Sequence, residues 1–108
     1  MSRQFDFEVF LIAVLKGSHA TRQRHLRQSK RIQKAIEDRW KRDNPWSWRQ
    51  KHLAWFMNSY LLNHGAQTRY YYLLTIRLIA LRLGKEWHFP QAPNAVRTIA
   101  SDSPQSIA

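Results

Sequence analysis

Residues 67–83, QTRYYYLLTIRLIALRL, carry apolar side chains around nearly the whole circumference of a helix. Tyr70, Tyr72, Leu73, Leu74, Ile76, Leu78, Ile79, Leu81 and Leu83 leave only a narrow line through Arg69, Thr75 and Arg82 for water. A helix of this kind has to be enclosed by other elements. Its apolar run is shorter than the roughly 20 residues a bilayer demands and holds Arg77 at its middle, so it reads as a buried central helix and not as a membrane span. The remaining segments must then supply the faces that enclose it.

Residues 5–16 place Phe7, Phe10, Leu11, Val14 and Leu15 at i, i+3, i+4, i+7 and i+8, the template of an amphipathic helix, although the first five residues also alternate apolar and acidic as a strand would. Gly17 suits a left-handed helix end, and Ser18 suits the N-cap of the next helix. Residues 19–43 contain no Gly or Pro and carry an apolar line through Leu26, Ile32, Ile36 and Trp40. Asn44-Pro45 breaks that helix. Ser47 and Gln50 then have capping-box spacing for a third helix over 47–63, whose inner stripe is Leu53, Phe56, Met57, Tyr60 and Leu61 and which His64-Gly65 closes. The expected fold is all-α: a compact four-helix bundle of two hairpins, about 5–16, 19–43, 47–63 and 67–83. A shift of 47 residues aligns Leu15 with Leu62, Thr21 with Thr68, Arg22 with Arg69, Leu26 with Leu73, Ile32 with Ile79 and Trp40 with Trp87, which suggests that the hairpins repeat. Residues 1–84 form the helical domain. In residues 85–108, Trp87 and Phe89 are expected to dock on the bundle, and the irregular tail past Val96 to be loose.

Eighteen Lys and Arg against seven Asp and Glu give a formal charge of +11, which opposes compaction unless a polyanion offsets it. Half of those cations lie between Arg22 and Arg42, with only Glu37, Asp38 and Asp43 nearby. Arg24, Arg27, Arg31, Lys34 and Lys41 follow at spacings of 3, 4, 3 and 7, which stack them on one helix face. Like charges at these spacings weaken an isolated helix by a few tenths of a kcal/mol each, so a face that accumulates them points to phosphate. Further on, Arg42, Arg49 and Lys51 surround Trp46 and Trp48, an interleaving of cations with rings that either plugs the end of the bundle or stacks on unpaired bases. Three consecutive tyrosines, Tyr70, Tyr71 and Tyr72, cannot all face inward on one helix.

Gly65, Thr68, Tyr72, Ile76-Arg77, Leu81 and the Leu83-Gly84 end resemble the second hairpin of the core-binding domain of tyrosine recombinases and phage integrases. Residues 52–63 are similar to that family's amphipathic partner helix, and the likeness covers about residues 48–84. The resemblance implies a small SAM-like helical bundle that lies across duplex DNA, with Thr68 and Arg69 at the start of the central helix approaching backbone phosphate. It also implies the accessory or regulatory role of a mobile-element protein. The family's catalytic domain has no counterpart in the 108 residues. His19-Ala20-Thr21-Arg22 has the H-x-x-R spacing of that active site but none of its surroundings.

Other chemistry finds little to work with. The absence of cysteine excludes disulfides and thiolate metal sites, and His19, His25, His52, His64 and His88 show no ligand spacing. No Gly-rich phosphate loop, nucleophile elbow or paired carboxylate is present. The expectation is a cytoplasmic protein that is not an enzyme, uses no metal or cofactor and does not enter the membrane. DNA is its expected partner, held through Arg24, Arg27, Arg31, Lys34, Lys41, Arg42, Arg49, Lys51, Thr68 and Arg69, with Trp46 and Trp48 available to stack. RNA, read by the Trp-rich turn, and an acidic protein docked on the basic helix are the alternatives.

Overall fold

The computed structural model describes residues 5–89. The tail past Val96 lies outside the described residues. Four helices form the described span: α1 (Phe7–Leu11), α2 (His19–Trp40), α3 (Gln50–Trp55), which runs on into a π-helical turn (Phe56–Tyr60), and α4 (Ala66–Leu83). A 3-10 turn (Pro45–Ser47) joins α2 to α3. The all-α expectation holds, and no strand occurs among the described residues. No helix among them is long and apolar enough to cross a membrane.

α1 is shorter than its apolar pattern predicts. Asp6, not a residue of the apolar stripe, sets its start, because the carboxylate accepts hydrogen bonds from the N–H groups of Glu8 (2.9 Å) and Val9 (3.3 Å). Phe7, Phe10 and Leu11 are buried, whereas Val14 and Leu15 are half-buried in the turns that follow. Gly17 takes a positive φ (+96°) but does not end α1, whose C-cap is Ile12, and Ser18 caps α2 by accepting from the Thr21 N–H at 3.1 Å.

The second helix stops before the break that Asn44-Pro45 predicts. Lys41 turns into the left-handed region (φ 63°) while its N–H still donates to the Glu37 carbonyl. The intervening chain is then tied back. Gln33, buried within α2, donates from its amide to the carbonyls of Phe5 (3.1 Å) and Asp43 (2.9 Å), and the Phe5 N–H donates to the Asp43 carboxylate. Two stretches of irregular chain are thereby fastened to one helix side chain.

Ser47 does not cap α3. It belongs to the 3-10 turn, where its hydroxyl donates to the Asn44 carbonyl at 2.7 Å. The helix begins three residues later, with a reciprocal pair: the Arg49 N–H donates to His52 Nδ1 (2.8 Å) and the His52 N–H donates to the Arg49 carbonyl (3.0 Å). Leu53, Phe56, Met57 and Leu61 form the expected inner stripe. Tyr60 departs from it and is exposed, because the wider π turn rotates it outward until its ring stacks on Phe56 at 4.7 Å. Gly65 has an ordinary φ (−66°) and starts α4; it does not cap the preceding turn.

α4 has nearly the predicted limits, and Gly84 ends it in the left-handed conformation (φ 72°). Its orientation differs from the expectation. Thr75 is fully buried, Arg82 is half-buried, and the water-facing line runs through Tyr70, Arg77 and Leu81 instead. The reason is polar. Thr75 Oγ1 donates to Gln28 Oε1 (2.7 Å) and lies 2.7 Å from His25 Nδ1, both on α2. A hydroxyl has one proton, so with that proton on Gln28 the histidine must carry its own on Nδ1 and donate it. The three side chains then satisfy one another where α2 meets α4, and Leu73, Ile76, Ile79 and Ala80 are carried into the core beside them.

The 47-residue offset superposes the helix starts, Ser18 on Gly65, and the buried pairs Leu26/Leu73 and Ile32/Ile79. It fails at the ends: Trp40 closes α2, but Trp87 lies beyond α4. Beyond Gly84, Phe89 is buried, Trp87 is half-buried, and the Gln50 amide donates to the His88 carbonyl at 2.6 Å.

Two apolar residues of α4 separate these orientations. Ile79→Ala is expected to cost about 2–5 kcal/mol in denaturant unfolding, whereas Leu81→Ala, at a site 63% exposed, should stay within about 0.5 kcal/mol of wild type. Thr75→Val should cost about 1–3 kcal/mol, because it leaves the buried His25 and the half-buried Gln28 without their partner. Equal destabilisation by the two alanine variants would contradict this orientation.

Candidate nucleic-acid interface

The expected contact residues separate into two groups along α2. Arg27, Arg31 and Lys34 are exposed on its outer side together with Lys30, within an arc of about 100°. Lys34 pairs with Asp38 at 3.2 Å, an exposed i, i+4 bridge worth only a few tenths of a kcal/mol. It is the one ion pair among the described residues. Arg27, Lys30 and Arg31 therefore have no carboxylate partner there.

Arg24 is not part of that open face. It is half-buried, its guanidinium lies 4.5 Å from the centre of the Tyr71 ring, and its Nε is enclosed without a hydrogen-bond partner among the described residues. Such a cation–π contact contributes about 0.5–2 kcal/mol to holding α4 against α2. Arg39 does the same at the other end of α2, 4.9 Å from Trp40 and 5.4 Å from Trp55. The spacing that predicts one phosphate-binding face therefore also supplies arginines that pack on rings. The Arg24–Tyr71 contact brings the start of α4 beside the first half of α2. There Thr68 is exposed, and no side chain accepts from the first N–H groups of α4. Arg69 is half-buried with its Nε enclosed, so it offers less of its guanidinium to solvent than its sequence position suggests.

The second group lies around the 3-10 turn, and Lys41 is exposed just before it. Arg42, Arg49 and Lys51 line a cavity of about 730 Å³, and Lys85, arriving from the end of α4, lines it too. Sequence reasoning missed Lys85, because only the docking of residues 85–89 beside α3 brings it there. Trp48 is 3% exposed, packs 5.6 Å from Phe7 and donates its indole N–H to the Arg42 carbonyl at 2.8 Å. It is buried in the core and is not free to stack. Trp46 is 54% exposed and keeps that possibility. Trp40, expected in the core, is half-buried between His52 (4.6 Å) and Trp55 (5.1 Å).

The charge of this group is felt inside the domain. Burial lowers the His52 pKa from its ordinary value, and the positive charges of Lys51, Arg42 and Arg49 lower it further. Burial, with Arg24 adding to it, lowers that of His25. The Tyr72 hydroxyl is raised by burial and by Tyr60, against an opposing pull from Arg31. Among the described residues no group of three His, Cys, Asp or Glu side chains could hold a metal ion.

The histidines make stability depend on pH. Their folded pKa values lie below the unfolded one, so as pH falls the unfolded chain takes up protons first; the stabilisation is complete above about pH 6.5 and declines below it. Protonation also removes the lone pair with which His52 caps α3. Denaturant melts are expected to show stability falling as pH drops below about 6.5. His52→Asn, whose Oδ1 replaces Nδ1 as the acceptor, should flatten that fall, and an unchanged slope in this variant and in His25→Asn would assign the effect elsewhere.

Comparison of the chain with protein-family models, with curated proteins and with solved structures returns no match.

Proposed function

We propose that this protein binds duplex DNA through phosphate contacts on the outer face of α2, without catalysis. The role fits the accessory or regulatory factor of a mobile element that the resemblance over residues 48–84 implies. The observation that carries this reading is the row Arg27, Lys30 and Arg31, exposed, turned to one side and lacking carboxylate partners among the described residues. With a formal charge of +11, these side chains repel one another until a polyanion neutralises them. Cations of this kind release condensed counterions when they meet phosphate, and they carry no information about base sequence. The start of α4, with Thr68 and uncapped N–H groups beside the first half of α2, extends the same surface toward an anion. Behind that surface, on this reading, the helices pack as one bundle of two hairpins, α1–α2 and α3–α4.

Substituting Arg27, Lys30 and Arg31 with Ala should weaken duplex binding to about the same degree on unrelated sequences. It should also reduce the slope of log K against log salt by about 0.9 for each phosphate that is no longer neutralised. Far-UV circular dichroism should be unchanged, because all three are exposed. An unaltered slope would remove DNA from this face and leave an acidic protein as its partner.

A further inference from the structure

We propose that the cavity at the 3-10 turn is a site for an unpaired nucleotide of a single-stranded nucleic acid, with Trp46 stacking on the base and Arg42, Arg49, Lys51 and Lys85 holding the flanking phosphates. This goes beyond the duplex-binding face and stands on different residues. The cations come from three separate parts of the chain: the exit of α2, the start of α3 and the exit of α4. Among the described residues no carboxylate lines the cavity. Its volume, about 730 Å³, lies within the roughly 300–1,000 Å³ of small-molecule sites, large enough for a base with its sugar and phosphates.

Trp46 is held in place before any ligand arrives. The Asn44 side chain accepts from the Trp46 N–H (2.9 Å), the Ser47 hydroxyl donates to the Asn44 carbonyl (2.7 Å), and the Trp48 N–H donates to the Pro45 carbonyl (3.0 Å). The indole itself is fixed from the protein side by the edge of Phe10 (5.5 Å) and by the Arg82 guanidinium (5.3 Å). Arg82 in turn donates from Nε to the Phe10 carbonyl at 2.7 Å. A large apolar ring half open to water yet locked on its inner side has little rotamer freedom left to lose on binding. Trp87 closes another wall of the cavity, edge-on to the buried Phe89.

The chemistry of the lining selects the ligand. An acidic peptide would use the cations but leave the indole face in water. Duplex DNA would meet the cations but keep its bases stacked on one another. An unpaired nucleotide uses both, since every base offers a π face and every linkage a phosphate. The two neutral polar side chains at the rim already donate elsewhere, Ser47 to Asn44 and Gln50 to His88. Stacking and charge remain, so different bases should be accepted alike.

The test uses the full chain and fluorescein-labelled oligo-dT, oligo-rU, a mixed-sequence duplex and polyglutamate of matched charge, over a salt series that includes about 150 mM, where exposed charges are screened beyond about 8 Å. Tryptophan emission is read alongside anisotropy. Either single strand should bind and quench emission, and the tighter of the two names the sugar the site prefers. Trp46→Ala should weaken single-strand binding by about 5- to 150-fold and leave duplex binding unchanged. Arg42→Ala with Lys85→Ala should lower the single-strand salt slope, whereas Arg27→Ala with Arg31→Ala should lower the duplex slope. Absence of the first effect alone overturns this site, and absence of the second alone overturns the duplex face. Single-strand affinity indifferent to Trp46, or polyglutamate binding as tightly as the oligonucleotides, would overturn the proposal.

Discussion

A threonine hydroxyl buried between two helices is tolerable only if its proton and its lone pairs are both engaged, and Thr75 meets that condition through Gln28 and His25 of α2. The arrangement sets which side of α4 faces inward. α4 is apolar almost all round, so hydrophobicity alone leaves its rotation nearly free. A rotation that brought Leu81 inward would carry Thr75 away from its partners and strand three polar groups in a water-poor contact. A hydrogen-bond network contributing about one net kcal/mol per bond thus selects among packings that apolar burial leaves close in energy. Leu73, Ile76 and Ile79 reach the core because Thr75 is there.

The distribution of charge follows from the same shortage of partners. Seven acids cannot pair with eighteen cations, and among the described residues one ion pair forms. Aromatic rings accommodate some of the rest: Arg24 lies on Tyr71, Arg39 on Trp40 and Trp55, and Arg82 on Phe10 and Trp46. These arginines cover apolar surface with their stems and meet the negative faces of the rings, so they belong to the packing of the domain. Among the described residues, Arg27, Lys30 and Arg31 on the outer side of α2, and Arg42, Arg49, Lys51 and Lys85 around the 3-10 turn, have neither a ring nor a carboxylate. Their unrelieved repulsion reaches inward as far as His52, and a bound polyanion would relieve it.

Where the chain leaves the regular α-helix, the sequence misleads for one shared reason. Ser47-x-x-Gln50 has the spacing of a capping box, but Pro45 and the Asn44 side chain close a 3-10 turn first, and the Ser47 hydroxyl is used inside it. Tyr60 has the spacing of the inner stripe, and the π turn rotates it out. Trp46 and Trp48 are indistinguishable by composition, two residues apart in a basic turn. Only the turn's geometry sends one into the core, against Phe7, and leaves the other at the cavity's edge. Spacing rules assume an unbroken α-helical advance of 100° per residue, and each of these residues lies where that advance is interrupted.

The class of the fold, the existence of four helices, the ends marked by Ser18 and Gly84 and most of the buried apolar set are legible in the linear chain, because periodicity and local capping act over a few residues and need no knowledge of neighbours. So are the excess of positive charge and its concentration between Arg22 and Lys51. Which cations remain free is settled by packing alone, since the fate of Arg24 depends on Tyr71, 47 residues away, and the cavity exists only because Lys85 and Trp87 return beside Arg49. A long cationic side chain takes whatever ring, carboxylate or open water the folded chain places within its reach. That placement is a property of the packed helices and is not written in any one of them.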